Sequence, residues 1–251
     1  MTEVIAFLSD KQNNGKTSLG INIASLLAKK GYLVTLVDLN FSHPSLYSYF
    51  NGEEVEKKST INDFILGSDN PYLIVRLTSV IEKYSSMIKK GGDLFCIFAD
   101  PKDSEMDRME VSGKKRLDSV SRLIRLINYD LFDREFAVNK NCEYLGRPDF
   151  VILDLDIESI FWFTNGLSLI DTIFVTGQSE LIATCNELHS WQVLEVFESH
   201  GKKMETYPSI PFHKDLYPGE FLTVLRYPYH EYSNYVESFT SRILSNKMDF
   251  E

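Results

Sequence analysis

The chain has 251 residues, a formal net charge of −10 and an apolar fraction of 43%. That apolar content is ample for a large core, and no apolar run is long enough to span a bilayer. The acidic balance argues against a surface devoted to DNA, where affinity comes mainly from neutralising phosphates with cationic side chains.

In chain order, Val4-Ile5-Ala6-Phe7-Leu8 is a short apolar run suited to a buried parallel strand. The chain enters this strand almost at once, so no signal peptide is expected. Residues 11–18 then read Lys-Gln-Asn-Asn-Gly-Lys-Thr-Ser. Leu19, Ile23, Leu26 and Leu27 follow at helical spacing, and Gly31 is a plausible helix stop. A loop between a strand and a helix start brings backbone N–H groups and the positive end of the helix together, which suits an anion. Residues 11–18 are therefore a candidate phosphate-binding loop, with Asn13, Asn14, Gly15, Lys16, Thr17 and Ser18 as its ligand-facing set. Lys16 would reach the terminal phosphates of a nucleotide, and the Thr17 hydroxyl would help to hold Mg²⁺. The usual loop of this kind has a glycine where Asp10 stands.

Leu33–Asp38 is a second apolar strand ending in an acid, and Asp93–Ala99 reads as another. Leu117, Val120, Leu123, Ile124 and Ile127 mark a helix whose other side carries Lys114, Lys115, Arg116, Arg122 and Arg125. That basic side is either a solvated face or a surface for nucleic acid or an acidic partner. Residues 148–154, Pro-Asp-Phe-Val-Ile-Leu-Asp, form a further strand ending in an acid. Cys96, Cys142 and Cys185 include no close pair, which suggests reduced thiols in a cytoplasmic protein and no cysteine-held metal. No linker, repeat or low-complexity tract divides residues 1–251, which read as one domain.

Lys11 stands five residues before Lys16, the spacing of a deviant Walker A loop. In this the chain resembles the ParA/MinD family of P-loop ATPases, whose loop reads Lys-Gly-Gly-x-Gly-Lys-Thr. The resemblance extends along nearly the whole chain. Asp38 matches the acid before the family's switch segment, and Asp154 falls on its Walker B acid, which orients Mg²⁺-bound water. Residues 60–67 resemble the short helix after the switch. Residues 171–176, with Ser179 and Glu180, resemble the next strand and its helix start. Ile210-Pro211-Phe212 resembles the segment beside the adenine, which puts Pro211 in the nucleotide set. The resemblance implies a doubly wound, mostly parallel α/β sheet with helices on both faces. It also implies ATP and Mg²⁺ as ligands, Thr17, Asp38 and Asp154 at the metal, and a homodimer that sandwiches nucleotide, with Lys11 reaching the partner's phosphates.

Departures from the family pattern carry information. Gln12 and Asn13 replace loop glycines; Asn tolerates left-handed backbone, whereas Gln adds bulk at the phosphates. In Asp38-Leu39-Asn40-Phe41-Ser42-His43-Pro44, the family's water-positioning aspartate is Asn40. An amide bonds to water but has no charge with which to polarise it or accept its proton, so slow hydrolysis is expected. The helix predicted from Ser179 to about Ser199 leaves little chain before Pro211, so the family's strand there is expected to be short or absent. The last predicted helix carries Val236, Phe239, Ile243 and Leu244 on one face and ends in acid, which suits packing on the sheet better than membrane binding. Packing is also the expectation for Tyr227, Tyr229, Tyr232 and Tyr235. Two functions fit: an ATP-dependent dimer that positions or partitions a cargo, and a non-hydrolysing adaptor or pseudo-ATPase that docks a protein partner.

Overall fold

The computed structural model describes residues 2–9, 15–41, 43–50, 59–66, 74–84, 91–100, 118, 120–124, 147–156, 169–176, 199, 201, 203–207 and 222–248. Among these, the strands are β1 (Glu3–Ser9), β2 (Leu33–Leu39), β3 (Val75–Arg76), β4 (Asp93–Ile97), β5 (Phe150–Asp156), β6 (Thr172–Thr176) and β7 (Lys203–Tyr207). They form one seven-stranded sheet in the order β3-β4-β2-β5-β1-β6-β7. All neighbours are parallel except the short edge pair β3 and β4. The helices are α1 (Lys16–Lys29), α2 (Leu46–Tyr49), α3 (Ile61–Leu66), α4 (Thr78–Glu82), α5 (Thr223–Arg226) and α6 (Glu231–Met248).

Parallel strands need both faces covered, and the central strands show it by period-two alternation within continuous apolar runs. Ile5, Phe7, Leu36, Phe150, Ile152 and Phe174 point to the face covered by α1 and α6. Val4, Ala6, Leu8, Val37, Leu39, Val151 and Leu153 point to the other, where Ile61 and Phe64 of α3 join them. On the first face Phe239 of α6 meets Phe174 edge-on at 4.6 Å and Phe7 at 6.1 Å between ring centres. Val236 and Ile243 are buried beside it. The last helix thus packs on the sheet by its apolar face, and it begins at Glu231, a turn ahead of the apolar stripe.

The far end of α1 is closed by Gly31 at φ 104°. Its N–H bonds to the Ala28 carbonyl, and that of Tyr32 to Leu27, the double bond of a Schellman motif. Gly92 packs against this same turn: a Cβ there would lie 2.0 Å from the Ala28 carbonyl oxygen. At the start of α3, Thr60 Oγ1 accepts the Asp63 N–H while Asp63 Oδ2 accepts the Thr60 N–H, a reciprocal capping box.

Three expectations need correction. The strand before Pro211 is neither short nor absent: β7 pairs with all five residues of β6. Its Lys-Met-Glu-Thr-Tyr sequence lacks an apolar run because a terminal strand of the sheet does not require one. Packing explains Tyr232, which is buried, and the half-buried Tyr235, but Tyr229 is 95% exposed and Tyr227 41%. These two lie at or next to the turn before α6, ahead of its buried stripe. Arg122 is not a solvated cation: its Nε donates to the Phe64 carbonyl at 2.8 Å and its guanidinium lies 4.8 Å from the Phe64 ring centre. Lys114, Lys115, Arg116 and Arg125 lie outside the described residues. Among the described residues, no helix is long and apolar enough to cross a membrane.

Candidate functional site

The site lies where β1, β2 and β5 end and α1 begins. Gly15 holds φ 81° and ψ 5°, a left-handed turn that glycine adopts without steric cost. Its carbonyl accepts the Leu19 N–H at 2.8 Å, so the helix starts directly after the turn. Lys16 and Thr17, the first two helical residues, are both buried. The Lys16 ammonium is 2.9 Å from Asp154 Oδ1 and also donates to the Leu155 carbonyl. The Thr17 hydroxyl donates to Asp154 Oδ2 at 2.7 Å. Two adjacent residues of one helix thus take one oxygen each of a single carboxylate.

Asp154 and Asp38 are register partners on β5 and β2. The Asp38 carboxylate is fully buried and accepts the N–H of Asn40 at 3.1 Å and that of Leu46 at 3.3 Å. Burial, and then the charge of Asp154, push its carboxyl well above the ordinary carboxylate range; the N–H bonds and Lys16 pull the other way. The Asn40 side-chain carbonyl accepts the His43 N–H at 3.3 Å, which folds the loop back on itself. His43 is exposed. Burial and then the Asp154 charge also raise the Tyr49 phenol, which places α2 beside the site.

Of the residues expected from the sequence, Gly15, Lys16, Thr17, Asp38 and Asp154 converge here. Asn40 follows on the loop after β2, and Ser18 lies one residue further along α1. Lys11, Gln12, Asn13, Asn14 and Pro211 lie outside the described residues. Three contributors were missed. Ser45 Oγ donates to Thr17 Oγ1 at 3.4 Å. Asn22 bonds to the Ser18 carbonyl at 2.8 Å and accepts the Val224 N–H at 2.9 Å, fastening α1 to α5. Tyr232 of α6 lies near Ser18 and Asn22, and burial pushes its phenol up to about 12. Asn22 had a signal in the sequence: an amide in the middle of a fully buried helix must find partners.

The donor set is a hydroxyl and carboxylates, the hard oxygens that Mg²⁺ prefers. The Lys16 ammonium pairs with Asp154, while Asp38 beside it accepts main-chain N–H groups and is raised by burial and by the Asp154 charge, so a cation near both carboxyls would relieve their repulsion. Among the described residues no cluster of three or more His, Cys, Asp or Glu forms a metal cage.

No protein-family model matches the chain, and no curated protein matches it. Solved structures do. Cobyrinic acid a,c-diamide synthase from Mycobacterium smegmatis with bound ADP and magnesium matches with TM-score 0.65 and 16% identity, covering 100% of this chain and 97% of that one. A plasmid partition protein from Borrelia burgdorferi matches with TM-score 0.60 and 14% identity, over 98% and 99%. The MinC:MinD cell division complex from Aquifex aeolicus matches with TM-score 0.51 and 21% identity, over 81% and 67%. At such identities the likeness establishes the fold, the doubly wound sheet of the P-loop NTPases.

Proposed function

We propose that this chain is a divergent ParA/MinD-type nucleotide-binding protein that binds ATP with Mg²⁺. Residues 1–251 act as one domain, which forms a nucleotide-sandwiching homodimer and positions or partitions a cargo. The observation that carries the reading is the joint hold of Lys16 and Thr17 on Asp154, directly after the left-handed Gly15. The phosphates lie at the positive start of α1, where Lys16 binds their terminal oxygens and Asn13, Asn14, Gly15 and Ser18 line the loop. Thr17, Asp38 and Asp154 hold Mg²⁺, which supplies neutralising charge to the phosphate oxygens when bound. Pro211 borders the base. The ADP and magnesium of the M. smegmatis structure support this ligand pair.

Asn40 makes hydrolysis slow. It has no carboxylate, and its carbonyl oxygen accepts the His43 N–H. That contact also favours a second reading, an adaptor that binds nucleotide without turning it over and docks a protein partner. The MinC:MinD complex supports a protein partner in either case. We place the protein in the cytoplasm; the net charge of −10 disfavours DNA as a cargo contact, and the packed apolar face of α6 disfavours lipid.

The test is titration with a fluorescent ATP analogue in Mg²⁺, with sedimentation to follow dimers. Lys16→Ala should weaken binding by roughly 30- to 1000-fold, the effect of removing one member of a buried charge pair. Lys11→Ala should leave monomer binding intact and abolish ATP-dependent dimers. Tight binding by Lys16→Ala would overturn the proposal.

A further inference from the structure

Ser45 occupies the N-cap position of α2, where a serine ordinarily turns its hydroxyl back to a free N–H of its own helix. Here it makes no such bond. The N–H of Leu46, the first residue of α2, is taken by Asp38 Oδ2 at 3.3 Å. The serine hydroxyl donates to Thr17 Oγ1 at 3.4 Å, and Thr17 in turn donates to Asp154. A chain of three groups, Ser45 to Thr17 to Asp154, joins the loop after β2 to the start of α1.

We propose that Ser45 is a positioning residue that couples occupation of the Thr17 oxygen to the placement of α2. The inference rests on the nucleotide and Mg²⁺ reading above. A hydroxyl has one proton and two lone pairs. Thr17 gives its proton to Asp154 and takes the proton of Ser45 on a lone pair. A divalent cation drawing on the same oxygen makes it a poorer acceptor. Anionic phosphate oxygens nearby are stronger acceptors for Ser45 than a neutral hydroxyl. Ser45 therefore changes partner when nucleotide and cation arrive together, and α2 moves with its own N-cap. The consequence extends into the core, because Tyr47 and Phe50 pack on Phe98 at 5.4 and 6.2 Å between ring centres.

Amide hydrogen exchange over residues 46–50 should be compared in Mg²⁺ with ATP and in ATP with EDTA, for wild type, Ser45→Ala and Ser45→Thr. Wild type and Ser45→Thr should show a Mg²⁺-dependent change that Ser45→Ala lacks. Ser45→Ala should also need about three- to tenfold more Mg²⁺ for half-maximal analogue binding, the effect of one lost hydrogen bond. A Mg²⁺-dependent change that persists in Ser45→Ala would overturn the inference alone, as would its absence in a wild type that binds nucleotide. A wild type that binds no nucleotide would overturn the functional reading and this inference together.

Discussion

The ends of β5 and β2 carry the same residue side by side, and the two aspartates do different work. Asp154 faces side chains, the Lys16 ammonium and the Thr17 hydroxyl, both presented by one helix. Asp38 faces main chain, the N–H groups of Asn40 and Leu46, and so shapes the loop that follows it. Chemistry and register are shared; the partners differ. A carboxylate paired with a mobile cation can release that cation to a ligand, whereas one bonded to backbone fixes a loop at the cost of its own solvation. On the proposed nucleotide reading, the site thus has an exchanging side at β5 and a holding side at β2.

Lys16→Ala tests that division with the largest expected effect. Besides losing nucleotide, it leaves two buried carboxylates without an ammonium and should destabilise the fold by about 3–5 kcal/mol. Adding Asp154→Asn should restore much of the thermal stability and none of the binding. Recovery of binding in the double variant would break the assignment of Asp154 as the exchanging partner. Asn40→Asp acts on the holding side. It places a carboxylate beside the proposed γ-phosphate and should raise ATP turnover by about 100-fold or more, the lower end of the range for a positioned base. Brisk wild-type hydrolysis with no gain in Asn40→Asp would restore the cycling ATPase without a role for Asn40.

The smallest effect concerns pH. The Asp38 carboxyl is raised in the folded protein, so over that range the native state binds more protons than the unfolded one. Stability of the nucleotide-free protein in EDTA should therefore fall as pH rises from the ordinary value of 3.8 through the raised native one. Asp38→Asn should flatten that decline, a difference on the order of 1 kcal/mol. Denaturant midpoints measured across the acid range give the slope; an equally steep Asn variant would assign the decline to another group.

Much of this was legible in the chain. The apolar runs that became β1, β2, β4 and β5 are strands buried on both faces, and the spacing of Leu19, Ile23, Leu26 and Leu27 marked α1 up to Gly31. The convergence of Lys16, Thr17, Asp38 and Asp154 was legible because strand ends and helix starts are fixed by local pattern. Strand β7 was missed because its polar residues sit on an edge. Ser45 was missed because its partner is 28 residues away and only the fold brings them together. Tyr229 was misjudged because a tyrosine close to an amphipathic helix looks apolar from sequence, whereas its place in the turn leaves it in solvent.

The contact between Gly92 and the last turn of α1 has a mechanical consequence. No side chain larger than hydrogen fits between that backbone and the Ala28 carbonyl, and the Asp93 N–H bonds to the Tyr32 carbonyl just beyond, at 3.2 Å. The helix is therefore clamped at its far end and cannot slide along its axis. If the start of α1 binds phosphate as proposed, a load at Lys16 or Thr17 is carried along a helix whose far end is fixed against the start of β4.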